Sequence, residues 1–396
     1  MNALTDHKFA DTALHSRYLA QTHEVVNVST ELADYNMYQQ DQALQEAVAR
    51  EGAAWAQDEL VRFGALTGSA AYLEQGTLAN KHLPEFDTHD RFGNRIDWVE
   101  FHPAWHTLME LAWRHEVPSL AWTASEPQPH LARAVLSYLW NQVEHGTGCP
   151  TGMAYASVAG FEREPALQIW AQKVRAPHYE FSRREVGDKP GVVVGYAMTE
   201  KQGGSDLRET QTTAVFSHTA DYHGALAHWY EITGHKWFCS VPQSDGFFAL
   251  AKVAGGVTCF FLPRTLPDGQ FNRFFIQRLK DKLGNRSNAS SEVEYEDTLV
   301  HRVGDEGRGV ATIIEMVSHT RLDCVVGSTA IMRQAVTQAG WHVAHREAFG
   351  SKLIDKPLMQ NVLADLEIEV EVATLMMMRL SGAFANAGCL FRALEK

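Results

Sequence analysis

The chain has 396 residues, of which 45% are apolar and 21% charged, a composition typical of folded globular proteins. Its length predicts two or three domains with a large core and excludes collagen-like or wholly disordered architectures. With 35 Lys and Arg against 48 Asp and Glu, the formal net charge is −13. That balance argues against a dedicated nucleic-acid-binding protein, although it is compatible with a local basic patch.

The cysteines are few and widely spaced: the five stand at positions 149, 239, 259, 324 and 389, with no CxxC pair. This pattern indicates neither a zinc site nor a disulfide framework, and it favours a reducing cytoplasm. The first ten residues contain no apolar stretch long enough for a signal peptide. Residues 372–391 carry Arg379 as their one charge, and we interpret them as a buried bundle helix with no membrane partner.

An α-helical domain is predicted for residues 1–188. Within it, residues 41–50, 106–114 and 129–143 carry apolar side chains at helical spacing and polar side chains elsewhere. Residues 85–97 are polar and rich in turn formers, and they are predicted to form a loop.

A β-barrel domain is predicted for residues 189–304, where short β-type runs alternate with turns. The predicted strands cover residues 192–198, 212–217, 229–233, 247–253, 258–262 and 292–295. Helical spacing returns in residues 305–396, with one helix from about 310 to 347 and a second that begins at Pro357. The fold class is therefore α+β and multidomain, with helices on either side of a β domain.

The most informative segment, residues 196–206, leaves a strand and enters a Gly-Gly turn flanked by Thr199, Ser205 and Asp206. Paired glycines let backbone N–H groups approach a ligand closely, and the two hydroxyls can bind a polar ring edge or a phosphate. An ordinary surface hairpin has the same turn chemistry, so this alternative stays open.

Two further segments combine aromatic and polar side chains. Residues 234–240 place Trp237 and Phe238 beside a hydroxyl, which suits a flat heteroaromatic cofactor, although a core strand would look similar. Residues 346–350 place an Arg, a Phe and a Gly at a helix end, where they could clamp a phosphate and an adenine. An ordinary turn between helices is the alternative for this last segment.

Together these segments resemble the acyl-CoA dehydrogenase family, and within it the AidB-like branch with its longer helical N-terminal domain. Residues 198–206 are similar to the flavin loop of that branch, and residues 234–245 and 279–292 are similarly distinctive. The resemblance covers nearly the whole chain, from Phe101 to the helix after Pro357. It implies a β-barrel between a helical domain and a four-helix bundle, with FAD bound between barrel and bundle.

The resemblance also implies the residues that contact FAD. Thr199 would meet the pyrimidine edge of the flavin, and Gly204 and Ser205 would lie on its ribityl or pyrophosphate side. Phe238 and Ser240 would line the isoalloxazine ring. The implied cofactor residues are Tyr196, Met198, Thr199, Gly204, Ser205, Phe238, Cys239, Ser240, Arg346 and Phe349.

Further implications concern the substrate and the assembly. Arg346 and Phe349 match family positions that reach the FAD of a neighbouring subunit, which implies a homotetramer. Arg321 matches an Arg at the acyl end of the substrate pocket, and Ser205 is a second substrate-binding candidate. The implied substrate is an acyl-CoA thioester.

The family chemistry oxidises the Cα–Cβ bond of the thioester: a carboxylate removes the α proton while a hydride leaves Cβ for the flavin. The family base stands in an aromatic-Glu-Gly pattern late in the bundle, and no such pattern follows Pro357. No catalytic residue is therefore assigned. The chain ends after about two of four implied bundle helices, so we expect a fragment or a diverged C-terminus, with an apolar face exposed on residues 310–345 and 357–390.

Two functions follow as hypotheses. The first is an FAD-dependent dehydrogenase acting on CH–CH bonds of acyl-CoA thioesters. The second is a non-catalytic flavoprotein that binds a fatty acyl-CoA or serves an AidB-like DNA-protective or stress role. The basic run 273–286 is interpreted as a solvated strand face, so the charge gives a nucleic-acid partner no support. No metal site is expected, because the spaced His pairs lack a third ligand.

Overall fold

The N-terminal part of the molecule is mainly helical. The structure, a computed structural model, describes residue 22, residues 26–162 and residues 164–394, with side chains described up to residue 384. The first eight helices among these residues are α1 (Gln42–Arg50), α2 (Gln57–Thr67), α3 (Ala70–Lys81), α4 (Pro103–Arg114), α5 (Leu120–Thr123), α6 (Pro129–Asn141), α7 (Gly148–Phe161) and α8 (Gln168–Arg175).

Local sequence explains where these helices begin. The Asp41 carboxylate accepts a hydrogen bond from the backbone N–H of Leu44 at 3.0 Å and caps α1. The apolar stripe of α1 is buried, as its spacing predicts. Helices α4 and α6 each begin at a proline, which lacks the N–H that a first helical residue would leave unpaired.

The predicted loop over residues 85–97 is wrong. Strands β1 (Glu85–His89) and β2 (Arg95–Glu100) form an antiparallel hairpin there. Its turn is held by the Asp90 carboxylate, which accepts from the N–H groups of Phe92 at 2.8 Å and Asn94 at 2.9 Å. Strand β1 alternates exposed and half-buried residues, and both strands are rich in charge, so they lack the run of apolar side chains that marks a strand in a sequence.

The middle of the chain folds into a sheet. Its strands are β3 (Val194–Ala197), β4 (Thr213–Tyr222), β5 (Ala225–Ser240), β6 (Gly246–Val253), β7 (Gly256–Pro263), β8 (Phe274–Leu279) and β9 (Ser290–Val303). Within the described residues these seven strands pair in the order β3-β5-β4-β6-β7-β9-β8, with additional β3–β6 and β5–β9 pairs. The predicted barrel closure stays a prediction, as do the domain boundaries after residues 188 and 304.

Strand β5 is longer than its sequence pattern predicts. It joins the predicted strand 229–233 to the candidate segment 234–240, because Gly234 does not end the strand. Gly234 has φ +152°, and the pairing register with β9 shifts at this residue. A Cβ at this position would lie 2.5 Å from the Thr212 hydroxyl. Because glycine has no Cβ, β5 can lie this close to Thr212.

Two long helices complete the described chain, as predicted. They are α9 (Gly309–His345) and α10 (Pro357–Leu394), joined through the short strands β10 (Glu347–Ala348) and β11 (Ser351–Lys352). Both helices expose apolar side chains, as the sequence led us to expect: Ile314, Val325 and Ile331 on α9, and Leu358, Val362, Leu366, Ile368, Val372, Met376 and Leu380 on α10. In the described part of the chain, no helix has the length and apolar character needed to cross a membrane.

A buried ion pair joins the N-terminal helices to α9. Both guanidinium nitrogens of Arg133, on α6, donate to the carboxylate of Asp323, with Nη2 to Oδ2 at 3.0 Å. The third nitrogen of Arg133, Nε, donates to the Val117 carbonyl at 2.7 Å, and the guanidinium lies 4.0 Å from the centre of the Tyr155 ring. These contacts fix the position of α9 beside α6 and α7.

Candidate functional site

The structure brings the first two candidate segments together. Ala197, at the end of β3, pairs with Cys239 of β5 in an antiparallel arrangement. Just beyond this pair, the N–H of Trp237 donates to the carbonyl of Thr199 at 2.7 Å. The Gly-Gly loop and the aromatic segment are therefore neighbours on one edge of the sheet.

The Gly-Gly loop is a tight turn. Glu200 and Gly203 exchange backbone hydrogen bonds of 3.2 and 3.1 Å across it, and Gly203 has φ +155°. A Cβ on Gly204 would lie 2.5 Å from the Thr199 hydroxyl oxygen, so a side chain does not fit there. Thr199 is thus held directly against Gly204, while Ser205 is exposed at the mouth of the loop.

A buried ion pair locks the two segments to each other. The Lys236 ammonium lies 2.6 Å from the carboxylate of Glu200, and the two side chains are 0% and 1% exposed. Glu200 also accepts from the Thr212 hydroxyl at 2.7 Å and from the Gln211 N–H at 2.7 Å, while Lys236 donates to the Leu250 carbonyl at 2.8 Å. Burial is the largest single influence and opposes ionisation of Glu200, but the charge of Lys236 and the hydrogen bonds to Glu200 together outweigh it and lower the pKa of Glu200 to about 2.

The sequence alone does not reveal this pair, although both residues lie in the candidate segments. No local signal marks Lys236, which stands between His235 and Trp237, because only the folded structure shows that this lysine is buried and needs a partner. The glutamate in the Gly-Gly loop is the partner.

Phe238 presents an open aromatic surface. Its side chain is 47% exposed and stands nearly perpendicular to the Trp237 ring, at 83°. The Lys280 ammonium lies 3.2 Å from the centre of the Trp237 ring and 4.7 Å from that of Phe238, which is a cation–π arrangement. The interpretation of residues 273–286 as a solvated face therefore fails for Lys280, whose side chain is only 12% exposed.

Hydroxyl groups and an ammonium surround Ser240. Its Oγ lies 3.2 Å from the Oγ of Ser290 on β9, and the Lys282 ammonium donates to that same Ser290 oxygen at 3.1 Å. Burial lowers the pKa of Lys282. The Cys149 thiol, at the start of α7, lies beside Ser240 and Lys282, and burial raises its pKa to about 11. The start of α7 thus lies beside Ser240 of β5.

Three of the predicted cofactor residues lie beneath the surface that Phe238 and Ser240 form. Tyr196 is buried and stacks on Phe248, with ring centres 5.7 Å apart. Cys239 is fully buried, and burial raises the pKa of its thiol to about 12. Met198 is half-buried and packs against the core. These side chains pack into the core and support the strands.

The remaining predicted residues lie on the C-terminal helices. Arg321 is exposed on α9. Arg346 and Phe349 belong to the connection that follows α9, where Arg346 donates to the carbonyl of Asn27 and Phe349 lies near the Lys356 ammonium. The contacts described for these two residues thus connect them to the chain's N-terminal segment and to the start of α10, not to the Gly-Gly loop.

Three glutamates near the two candidate segments are engaged by cations or hydrogen-bond donors. Glu200 binds Lys236, and Glu292 accepts from Arg278 at 2.7 Å and Lys280 at 2.8 Å. Glu144 accepts from the Ser287 hydroxyl at 2.8 Å, and from two backbone N–H groups of its own loop. The partners of Glu200 and Glu292 lower the pKa values of these two carboxylates, which makes them weak proton acceptors.

Comparison with known protein families matches three consecutive parts of the chain. Residues 27–181 match the adaptive response protein AidB N-terminal domain. Residues 195–298 match the acyl-CoA dehydrogenase middle domain, and residues 307–390 match the acyl-CoA dehydrogenase C-terminal domain.

Individual proteins are similar to much of the chain. The chain is 43% identical over 367 residues to the putative acyl-CoA dehydrogenase AidB of Escherichia coli, covering 92% of this chain and 66% of that protein. Caenorhabditis elegans ACDH-11, solved in complex with C11-CoA, superposes with a TM-score of 0.83 at 23% identity, covering 95% of this chain and 64% of that one. A Bacillus anthracis acyl-CoA dehydrogenase complexed with FAD gives a TM-score of 0.58 at 18% identity, over 72% and 47% of the chains. The chain thus spans less than two thirds of the length of each of these relatives.

Proposed function

The chain belongs to the acyl-CoA dehydrogenase family, with an AidB-type N-terminal domain, and on that premise we propose that it is an FAD-dependent oxidoreductase of acyl-CoA thioesters. One observation carries the proposal. Where β3 pairs with β5, the turn at Gly203 and Gly204, which has no side chains, lies beside the exposed ring of Phe238 and the hydroxyl of Ser240.

The residues at this junction fit a flavin. Gly204 leaves a space that a Cβ would fill, next to the hydroxyl of Thr199. Phe238 offers a flat apolar surface for a ring system, and Ser240 offers a hydroxyl at its edge. The FAD complex of the B. anthracis protein, which shares the fold, supports the choice of cofactor.

In this proposal the residues divide into those that contact FAD and those that support them. Thr199, Gly204, Ser205, Phe238 and Ser240 contact the cofactor, while Tyr196, Met198 and Cys239 hold the strands beneath it. Arg346 and Phe349 reach the FAD of a second copy. FAD, when bound, accepts the hydride that leaves Cβ of the acyl group, and the protein aligns the two reactants.

The proposed substrate is an acyl-CoA thioester, with Arg321 and Ser205 as substrate-binding residues. The C11-CoA complex of the C. elegans relative supports this class. A homotetramer in the cytoplasm, with domain boundaries after residues 188 and 304, completes the proposal. Its support is the apolar surface of α9 and α10, which is of the kind that association buries.

Titration with FAD tests the proposal. The purified chain is expected to bind FAD, and Gly204→Ala is expected to weaken that affinity by about tenfold or more, because the added methyl displaces Thr199. Gly340→Ala is the matched control, since its new Cβ meets no atom within 4 Å and α9 should be unaffected. A chain that takes up no FAD would contradict the proposal.

The second candidate is the non-catalytic flavoprotein, which binds a fatty acyl-CoA or serves a DNA-protective or stress role. The paired state of Glu200 and Glu292 favours it, because carboxylates with a lowered pKa are poorly suited to remove an α proton. Under the first candidate, dye-coupled assays should show steady turnover on at least one acyl-CoA of a chain-length panel. FAD binding without any turnover across the panel would favour the second candidate.

A further inference from the structure

A short N-terminal segment crosses the end of α9. We call residues 26–30 the N-terminal strap. The Thr30 carbonyl accepts a hydrogen bond of 2.7 Å from the indole N–H of Trp341, and the Ser29 hydroxyl lies 3.5 Å from Nδ1 of His342. The strap is therefore attached to the last turns of α9, more than three hundred residues away along the chain.

Asn27 makes the most specific contacts of the strap. Its side-chain amide donates to the Glu347 carbonyl at 2.8 Å and accepts from the Glu347 N–H at 2.7 Å. The Asn27 side chain thus forms hydrogen bonds with both the N–H and the carbonyl of Glu347, as the backbone of a neighbouring strand would. Asn27 has φ +59°, a conformation that asparagine tolerates better than most residues.

The backbone of Asn27 holds the adjacent arginine. Nη1 of Arg346 donates to the Asn27 carbonyl oxygen. A guanidinium has further N–H donors, so one hydrogen bond to a carbonyl orients the group and leaves donors for an anion. Asn27 therefore fixes two things at once: the position of β10, which follows Arg346, and the direction of the Arg346 side chain.

The hairpin beyond this anchor projects into solvent. Phe349 and Gly350 form its two-residue turn with φ values of +51° and +78°, which suits the twist of a tight hairpin. The Phe349 side chain is 98% exposed. We call residues 346–350 the arm: an arginine and a fully exposed phenylalanine on a short, anchored hairpin.

We propose that Asn27 is a positioning residue that holds the arm ready to bind the FAD of a second copy of the chain, with Arg346 on a phosphate. The inference rests on the proposed function, and it assigns to the N-terminal strap a part in cofactor binding. The physical reason is preorganisation, because an arm fixed before binding loses less conformational entropy when it docks.

The variant Asn27→Gly isolates the amide. Glycine adopts positive φ without strain and keeps the carbonyl that accepts from Arg346, so only the pairing with Glu347 is removed. We expect FAD affinity to fall by about tenfold, as in Arg346→Ala, with little further loss in the double variant. Ser29→Ala, which removes only a long contact in the same strap, should bind FAD as the unmodified chain does.

The dependence of FAD affinity on salt concentration distinguishes a lost position of Arg346 from a general loosening of the folded chain. An arginine on a phosphate weakens as salt screens it, so the unmodified chain should lose FAD affinity with rising salt, whereas N27G and R346A should lose less. Light scattering, run alongside, should show the same assembly size for N27G and the unmodified chain.

The outcomes distinguish the two proposals. N27G with unchanged affinity and unchanged salt dependence would overturn the role of Asn27, and so would a loss of affinity that merely accompanies dissociation of the assembly. An unmodified chain that fails to bind FAD would instead contradict the proposed function itself.

Discussion

A Lys236→Met variant is expected to lose about 3–5 kcal/mol of unfolding free energy, because the Glu200 carboxylate would stay buried without its partner. Methionine keeps the length and apolar stem of the lysine, so the loss reports the charge rather than a cavity. The same change frees the Gly-Gly loop from β5, and FAD affinity is expected to fall with it. Denaturant unfolding and FAD titration measure the two effects.

The matched control for this prediction is Arg208→Met, in the same loop. Arg208 pairs with Asp206 at 2.8 Å, but both side chains are solvent-exposed, so its removal should leave stability unchanged. The double variant E200Q/K236M should recover part of the loss, because it removes the unpaired charge as well. A K236M chain as stable as the R208M control would contradict the structural role of the pair.

The same pair predicts sensitivity to acid. In the unfolded chain Glu200 titrates near its ordinary pKa of 4.5, whereas in the folded chain its pKa is about 2. A lowered pKa stabilises the fold above the unfolded value, and this contribution is lost as the pH falls from about 4.5 towards 2. The expected contribution is about 3 kcal/mol, and it should be missing from the pH–stability curve of the E200Q/K236M variant.

Arg133→Met is expected to cost about 3 kcal/mol, near the lower end of the range for broken buried pairs, because Asp323 retains slight solvent contact. The variant also leaves the Val117 carbonyl without this donor and removes the cation over Tyr155. Since Asp323 belongs to α9, the contact between α6 and α9 should weaken. Thermal unfolding and limited proteolysis of the α9 region measure the loss.

Arg114→Met is the control for that prediction. Arg114 and Glu110 form an i,i+4 pair on the surface of α4, with both side chains more than half exposed. Its removal should cost less than about 0.5 kcal/mol. If the R133M chain unfolds at the same temperature as this control, Arg133 does not join the two helical regions.

The helices that could be predicted from the sequence are those with apolar side chains along one face and a recognisable capping residue at the first turn. Residues 41–50 show this, since the apolar stripe and the Asp41 cap give the same boundary. Helix α7 could not be found in this way, because Gly148–Phe161 is buried on every side and has no polar face to set a period.

The strands were harder to delimit. Residues 85–97, which belong to a hairpin, have the pattern of a loop because many of their side chains are charged or polar and few face the core. Strand β5 was split at Gly234 because glycine usually ends a strand, whereas here it makes room for Thr212. Both differences depend on neighbours that are distant in the chain.

The candidate site was predicted in part. The adjacency of residues 196–206 and 234–240 followed from the family resemblance, and the pairing of β3 with β5 agrees with it. The sequence pattern could not show that Lys236 and Lys280 have partners, because Glu200 and the Trp237 ring are brought to them by the folding of separate strands. Burial of a charge is decided by tertiary structure, not by local composition.

Helix α9 has a mechanical consequence. Its 37 residues make a continuous rod about 55 Å long. Its first residue, Gly309, packs on the backbone of Thr258 in β7 without room for a side chain, its middle is fastened through Asp323, and its far end carries the arm. A straight helix held at three points therefore joins the sheet, the N-terminal helices and the arm into one rigid unit.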